Sequence, residues 1–513
     1  MSLLLPVLKG LGNVTFINNL LSSVGVLVSL VPGLLQNRNS PLGILLTPVT
    51  PDTGVTRYYN FDVARGMLAP EGIPKPMLLI QVTVKSPITG PEEGTALHWH
   101  RLLQKKTTWY DGVPSVPMCP IAPGESFVYR FQADLYGSSW WHSHYSAQYA
   151  GGLFGPMIIH GPTDNYPSGI GEVVDLGPVI VSDSYFTDYY TLVEQSMSNN
   201  ALVAALVTSG HTLIQGKGNV DCSTAPAGSN CTTNAGLAKF NFKPGRTHLL
   251  RIINTSAAGL MVVSLDNHKM TLFVGQRTDV LITADQRPNA YWLRVRQPTL
   301  CPYYPIKLAP PDVTLVIQIT QAINATGHTH YEMNGQTFSA NYNYPLLNCT
   351  FNGNTSYPDD PQWNVFNFGS NETVRIIWQN NVPFGHPMHI HGQNLYVVGE
   401  GVGAYNGVNA VRPSNPQRSD VHSLRPNGYL VTQLVSDNPG VWPFHCHIAW
   451  HVGQGLYINV MQKPEMIQQG PETPGIIAEA CDAWWTYTEN NIPDQIDPGL
   501  KKNRLKKDKF ILL

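Results

Sequence analysis

Five His-x-His pairs stand out in this 513-residue chain: His98/His100, His142/His144, His328/His330, His389/His391 and His445/His447. Random placement of its 17 histidines would give roughly 0.6 such pairs, so most of them need a cause. On a strand, residues two apart point to one face, and each pair therefore offers two imidazoles to one centre. Burying so many imidazoles without partners would leave polar atoms unsatisfied. Metal ligation is the chemistry that resolves this.

The segment His445-Cys446-His447-Ile448-Ala449-Trp450-His451 is the most informative of the chain. When extended, it turns His445 and His447 to one side and Cys446 to the other, so two metal sites share one stretch of backbone. A thiolate with two imidazoles and a weak or absent axial ligand is the arrangement of blue-copper electron transfer. Cys446 supplies the sulfur, and His451 with a distant histidine completes the set. The all-imidazole face suits copper and oxygen binding, with electrons leaving the thiolate through its covalent neighbours. The bland alternative for Cys446, a buried free thiol, sits poorly with its flanking histidines.

The elements that must carry these side chains read as strands. Charged residues make up only 13% of the chain, about half the usual share, and Gly 45 with Pro 41 punctuate it densely. Segments such as Ser126–Gln132, Thr314–Thr320 and Glu372–Trp378 alternate apolar and polar residues. The expectation is an all-β chain. Phe154–His160 and Gly455–Met461 each follow a His-rich segment with an apolar strand, which suggests duplicated β-sandwich domains. The length predicts about three domains. Boundaries are expected near Gly161-Pro162-Thr163 and in the run from Gln297 to Asp312. This divides the chain into a leader-like segment 1–50, domains over 51–165, 166–310 and 311–500, and a basic tail 501–513.

A net charge of -2 gives no field that favours nucleic acid, and no stretch beyond the leader is long and apolar enough to span a bilayer. Seven cysteines together with sequons at Asn13, Asn230, Asn254, Asn324, Asn348, Asn354 and Asn371 point to a secreted, extracellular protein. Cys222 and Cys231 are candidate disulfide partners by proximity. The odd cysteine count leaves one thiol for another role.

Four segments, Leu97-His-Trp-His100, Trp141-His-Ser-His-Tyr145, His386-Pro-Met-His-Ile-His-Gly392 and His445-Cys-His-Ile-Ala-Trp-His451, resemble the copper signatures of multicopper oxidases, most closely the laccases of ascomycete fungi. The runs Asp111-Gly-Val-Pro-Ser, Gln132-Ala-Asp-Leu-Tyr-Gly, Ser146-Ala-Gln-Tyr-Ala-Gly-Gly and Asp437-Asn-Pro-Gly extend the resemblance over about residues 57 to 500. It implies three consecutive cupredoxin-like Greek-key sandwiches and four copper ions. His386, Cys446 and His451 would hold the type 1 copper, and His98 with His389 the type 2 copper. His100, His142, His144, His391, His445 and His447 would hold the type 3 pair. The axial position falls on Leu456, which cannot ligate and so implies a more oxidising type 1 site than methionine would give. His328/His330 matches no signature and reads as a loop pair without a metal.

The resemblance also implies a substrate-contacting proton acceptor at Asp183 and a proton-supplying carboxylate at Asp111. Turn roles are the alternative for both. It implies disulfides Cys119–Cys481 and Cys301–Cys349, and a processing site at Asp497-Pro-Gly-Leu500. Its implied activity is a monomer that oxidises small phenols or aromatic amines and reduces dioxygen, without nucleic-acid or membrane partners. Other readings are a ferroxidase-like metallo-oxidase and a copper-binding protein without turnover.

The last reading arises because the chain departs from the pattern. Arg101 stands where the family has glycine, and segments near Leu79–Gln81, Lys269–Phe273 and Pro305–Val313 look shortened. A strand lost from a sandwich would expose unpaired edges and could misplace His98 and His100.

Overall fold

A computed structural model describes the strand Val14–Ile17 and most of residues 56–490. Its longest internal gaps in description are 82–92, 162–170, 284–292 and 295–306. The rest of the leader-like segment, the processing site and the basic tail lie outside the described residues.

The C-terminal domain is a sandwich of two sheets. One has six strands in the order Thr329–Met333, Val313–Ile323, Thr373–Asn380, Gly428–Val435, Leu395–Val402 and Gln417–Ser419. The other has five, in the order Val365–Asn367, Tyr457–Gln462, Gly440–Cys446, His386–Ile390 and Val421–Leu424. Ile376, Trp378, Leu430 and Leu434 from the first sheet meet Trp442, Phe444, Ile458 and Val460 from the second in one buried cluster. Trp378 and Phe444 pack edge-on with centroids 4.3 Å apart.

The middle domain places a four-stranded sheet, Arg277–Thr283, Thr247–Asn254, Val173–Ser184 and His211–Ile214, beside a three-stranded one built from His268–Leu272, Met261–Leu265 and Leu293–Arg294. Val179, Val181, Leu250 and Ile252 bury against Met261 and Val263.

Among the described residues the first domain is thinner. Leu97–Trp99, Gly137–Ser143 and Phe154–Ile159 form one sheet, and the hairpin Asp62–Leu68/Lys75–Gln81 is a second, two-stranded sheet that packs on the same core through Val63. Ser126–Gln132, expected as a strand, forms none. Its burial alternates as a strand's would, with Phe127, Tyr129 and Phe131 turned inward, but no neighbour among the described residues completes a ladder. The pattern sets the face, whereas a strand also needs a partner at its edge.

The suggested duplication is present in the register. His142 stands opposite Phe154, and His445 stands opposite Tyr457, on the antiparallel neighbour that follows each His-rich strand. A helix, Gly475–Asn490, departs from the all-strand expectation and is tied to the first domain by the disulfide Cys119–Cys481. No helix among the described residues is long and apolar enough to cross a membrane.

Candidate metal centre

Cross-strand register assembles the histidines. In the first domain His98 lies directly opposite His142, and in the third His389 lies opposite His445. The two pairs meet between the domains, where ring nitrogens within 4.8 Å of one another define three groups. These are His100 with His142 and His447, His144 with His391 and His445, and His98 with His389 and His100. Despite its thin sheet, the first domain brings His98 and His100 into the cluster.

The surroundings prepare these rings for a cation. Nδ1 of His98, His142 and His389 each lies 2.9 Å from a backbone carbonyl, of Asp111, Ser143 and Asp420 respectively. Donation there leaves the Nε2 lone pair turned inward, and all three Nε2 atoms are buried without a hydrogen-bond partner. Nε2 of His445 sits 3.1 Å from that of His391 and 3.3 Å from that of His144. Burial first, then mutual repulsion, holds His100, His142, His144, His389 and His391 well below the usual imidazole range. His447 is lowered by the same two causes, and burial brings His445 down to about 4. Neutral imidazoles with converging lone pairs fit a bound metal ion.

On the other face of the shared segment, Cys446 Sγ lies 3.4 Å from His451 Nδ1 and 3.7 Å from His386 Nδ1, and the two nitrogens are 3.2 Å apart. One sulfur and two imidazoles in a triangle are the donors a blue-copper site uses. Leu456 is fully buried in the same apolar cluster, and its carbonyl accepts from the Cys446 amide at 3.1 Å. His386 is buried and held down near 3 by desolvation, while His451 is only half-buried.

The carboxylates divide. Asp111 is buried between two groups: Oδ2 accepts from His391 Nδ1 at 2.8 Å, and Oδ1 lies 3.3 Å from His98 Nδ1. Gly112 pins it, because a Cβ at φ +81 would lie 1.8 Å from the Leu97 carbonyl oxygen. Asp183 is otherwise engaged. Its oxygens accept from the amides of Ala257, Ala258 and Gly259 at 2.7 to 2.9 Å and from the Tyr185 hydroxyl at 2.9 Å. Burial raises its pKa against those bonds. These bonds give Asp183 a loop-holding part, whichever role it has toward substrate.

Two residues near the centres carried no signal of their own in the sequence. Asp420 places Oδ2 3.2 Å from His100 Nε2. Tyr331 packs edge-on to His386 and tilted against His451, with its hydroxyl 3.3 Å from His451 Nε2. Tyr331 lies beside the pair read as a loop, and His330 is in fact on the strand Thr329–Met333, 3.3 Å from Glu332. Neither His328 nor His330 joins a metal-compatible group among the described residues.

Arg101 adopts φ 78, the left-handed conformation that a glycine takes without strain. Its guanidinium is buried, with Nη1 3.5 Å from the Ser138 carbonyl and Nη2 unpartnered. Of the disulfides, Cys119–Cys481 and Cys222–Cys231 are formed. The expected Cys301–Cys349 bond is not: Cys349 carries a free thiol, and Cys301 lies outside the described residues. The Asn254 sequon is fully buried, with its side chain bonded to Gly259 and Ser256, so it is a structural asparagine in the folded chain.

Family profiles described as multicopper oxidase match residues 78–164, 175–273 and 310–466. Laccase-3 of Botryotinia fuckeliana is 33% identical over 465 residues, covering 74% of this chain and 97% of that protein. The chain belongs to the multicopper oxidase family. The crystal structure of a laccase from Botrytis aclada superposes with a TM-score of 0.76 at 26% identity, covering 88% of this multicopper oxidase and 96% of that chain. Fet3p, a multicopper oxidase that functions in iron import, superposes at 0.67 and 21% identity over 83% of this chain and 94% of its own, a likeness of fold. Copper binding follows from the family, and the three cupredoxin-like domains agree with these neighbours.

Proposed function

We propose that this multicopper oxidase is a secreted, monomeric laccase-type enzyme that takes single electrons from phenols or aromatic amines and passes them to dioxygen. The observation that carries the reading is the shared segment. Cys446 belongs to one donor group, and its neighbours His445 and His447 belong to two others. Copper held by these groups would supply a one-electron acceptor at Cys446 and, as three further ions, the four-electron reduction of dioxygen to water.

The protein's own residues do the rest. Half-buried His451 is the exposed edge of the Cys446 group and receives the substrate. Cys446 is bonded covalently toward His445 and His447, and His445 Nδ1 lies 2.8 Å from the Cys446 carbonyl, a second short path between the same residues. Asp111, bonded to His391 and beside His98, accepts and returns protons inside the cluster. Export is supported by two disulfides and by exposed sequons at Asn230 and Asn354.

Oxygen uptake with a simple phenol tests the reading: four phenols oxidised per dioxygen is the expected ratio, and absence of phenol-dependent uptake by copper-loaded protein contradicts it. A ferroxidase requires free carboxylates beside His386 and His451, and Asp183 is already bonded by three amides and a hydroxyl.

A further inference from the structure

Among the described residues the middle domain supplies no imidazole to the metal-compatible groups, yet its chain reaches them. Gly275 passes so close that a Cβ on it would lie 2.9 Å from His447 Cδ2 and 3.2 Å from His100 Cε1. Two residues later Arg277 opens the edge strand of the middle sheet. Its buried guanidinium donates from Nη1 to the Gly275 carbonyl at 2.8 Å and to Asp420 Oδ2 at 3.0 Å, and from Nη2 to Asp420 Oδ1 at 3.2 Å.

Asp420 is the hub of this contact. Besides the fork to Arg277, its Oδ2 lies 3.2 Å from His100 Nε2, and its carbonyl oxygen is 2.9 Å from His389 Nδ1 and accepts from the Ile390 amide at 3.1 Å. One residue of the third domain thus sets a ring from the first domain and a ring from its own. A carboxylate this deeply buried is costly without its cation, and a two-point guanidinium fork fixes its plane as well as its charge.

We propose that Arg277 is a positioning residue: by fixing Asp420 it aligns His389 of the type 2 position and His100 of the adjoining type 3 position, so that the middle domain holds this side of the cluster, the type 2 copper included, without ligating it. The inference rests on the copper assignment of the proposed function. The partners that orient metal-ligating histidines typically change metal affinity by roughly 10- to 100-fold when removed. The effect is selective, because among the described residues Cys446, His386 and His451 contact one another rather than Arg277 or Asp420.

The test uses full-length, copper-loaded Arg277→Gln and Arg277→Lys beside Arg251→Gln. Arg251 is an equally buried arginine of the same sheet that pairs with Asp175 and Asp279 instead. The readouts are copper per molecule, the type 2 electron paramagnetic resonance signal under chelator challenge, and the blue colour as a report on Cys446. Arg277→Gln is expected to lose type 2 copper to about 10- to 100-fold less chelator while staying blue. Arg277→Lys should fall between it and the parent, and Arg251→Gln should retain the signal. Parental chelator resistance in Arg277→Gln, or equal loss in Arg251→Gln, overturns the proposal. A parent protein without any type 2 signal would instead overturn the functional reading on which it rests.

Discussion

At Cys446 the electronic character of the donor group depends on what fills the position ten residues on. Leu456 is buried in the same cluster and offers no donor atom. Replacing it with methionine brings a thioether to that place, and Leu456→Met is expected to lower the type 1 potential in a redox titration. An unchanged potential would mean that the axial site lies elsewhere. Asp183 gives a second expectation at this scale. Its bonds hold Ala257–Gly259, and the Ala257 carbonyl accepts from the Ala449 amide at 2.8 Å, at the start of the short helix that carries His451. An amide would set an N–H against those donors at about 1–3 kcal/mol. Asp183→Asn should therefore reduce kcat/KM alike for a phenol and for a donor with no proton to lose. A loss confined to the phenol would restore the proton-acceptor role.

At the scale of elements, Arg101 follows the three-residue strand Leu97–Trp99 and is held at positive φ with one buried nitrogen unpartnered. Arg101→Gly removes both costs, and the expected gain is about 1 kcal/mol, read as a higher urea midpoint. A lower midpoint would mean that the bond to Ser138 outweighs them. The same scale explains what the sequence made legible. His-x-His spacing encodes two rings on one strand face, but it does not say which centre each ring serves: His142/His144, His389/His391 and His445/His447 are each split between groups, and only the family resemblance implied that division. Asp420 lies 143 residues from Arg277 and Tyr331 lies 120 from His451, and in each case long-range register alone makes the contact. A single aspartate or tyrosine of ordinary spacing carries no sign of that. Ser126–Gln132 illustrates the converse, because alternation predicted its inward face correctly while the missing neighbour denied it a ladder. Cys349 likewise had a family partner on paper but has a free thiol in the fold.

For the whole molecule, the cluster makes stability depend on pH in the metal-free protein. Burial holds His100, His142, His144, His389, His391, His445 and His447, together with His386 and His451, below their unfolded value of 6.5. Above that pH both states are neutral there, and no stability is lost. Below it the unfolded chain takes up protons that the folded chain refuses, so stability falls as pH falls, by about 1.4 kcal/mol per pH unit for each such histidine. Metal-free protein should show a urea midpoint that drops steeply below about pH 6.5, and a flat profile would place these rings in water.

The central claim is that a thin first domain and a complete third domain still close one cluster around His98, His100, His142, His144, His389, His391, His445 and His447 beside the Cys446 group. Copper per molecule, measured together with the type 1 and type 2 spectroscopic signals on protein from a secreting host, tests it most directly. Close to four ions with both signals is the expected result. About one ion with the blue signal alone would contradict it, leaving a copper protein unable to reduce dioxygen.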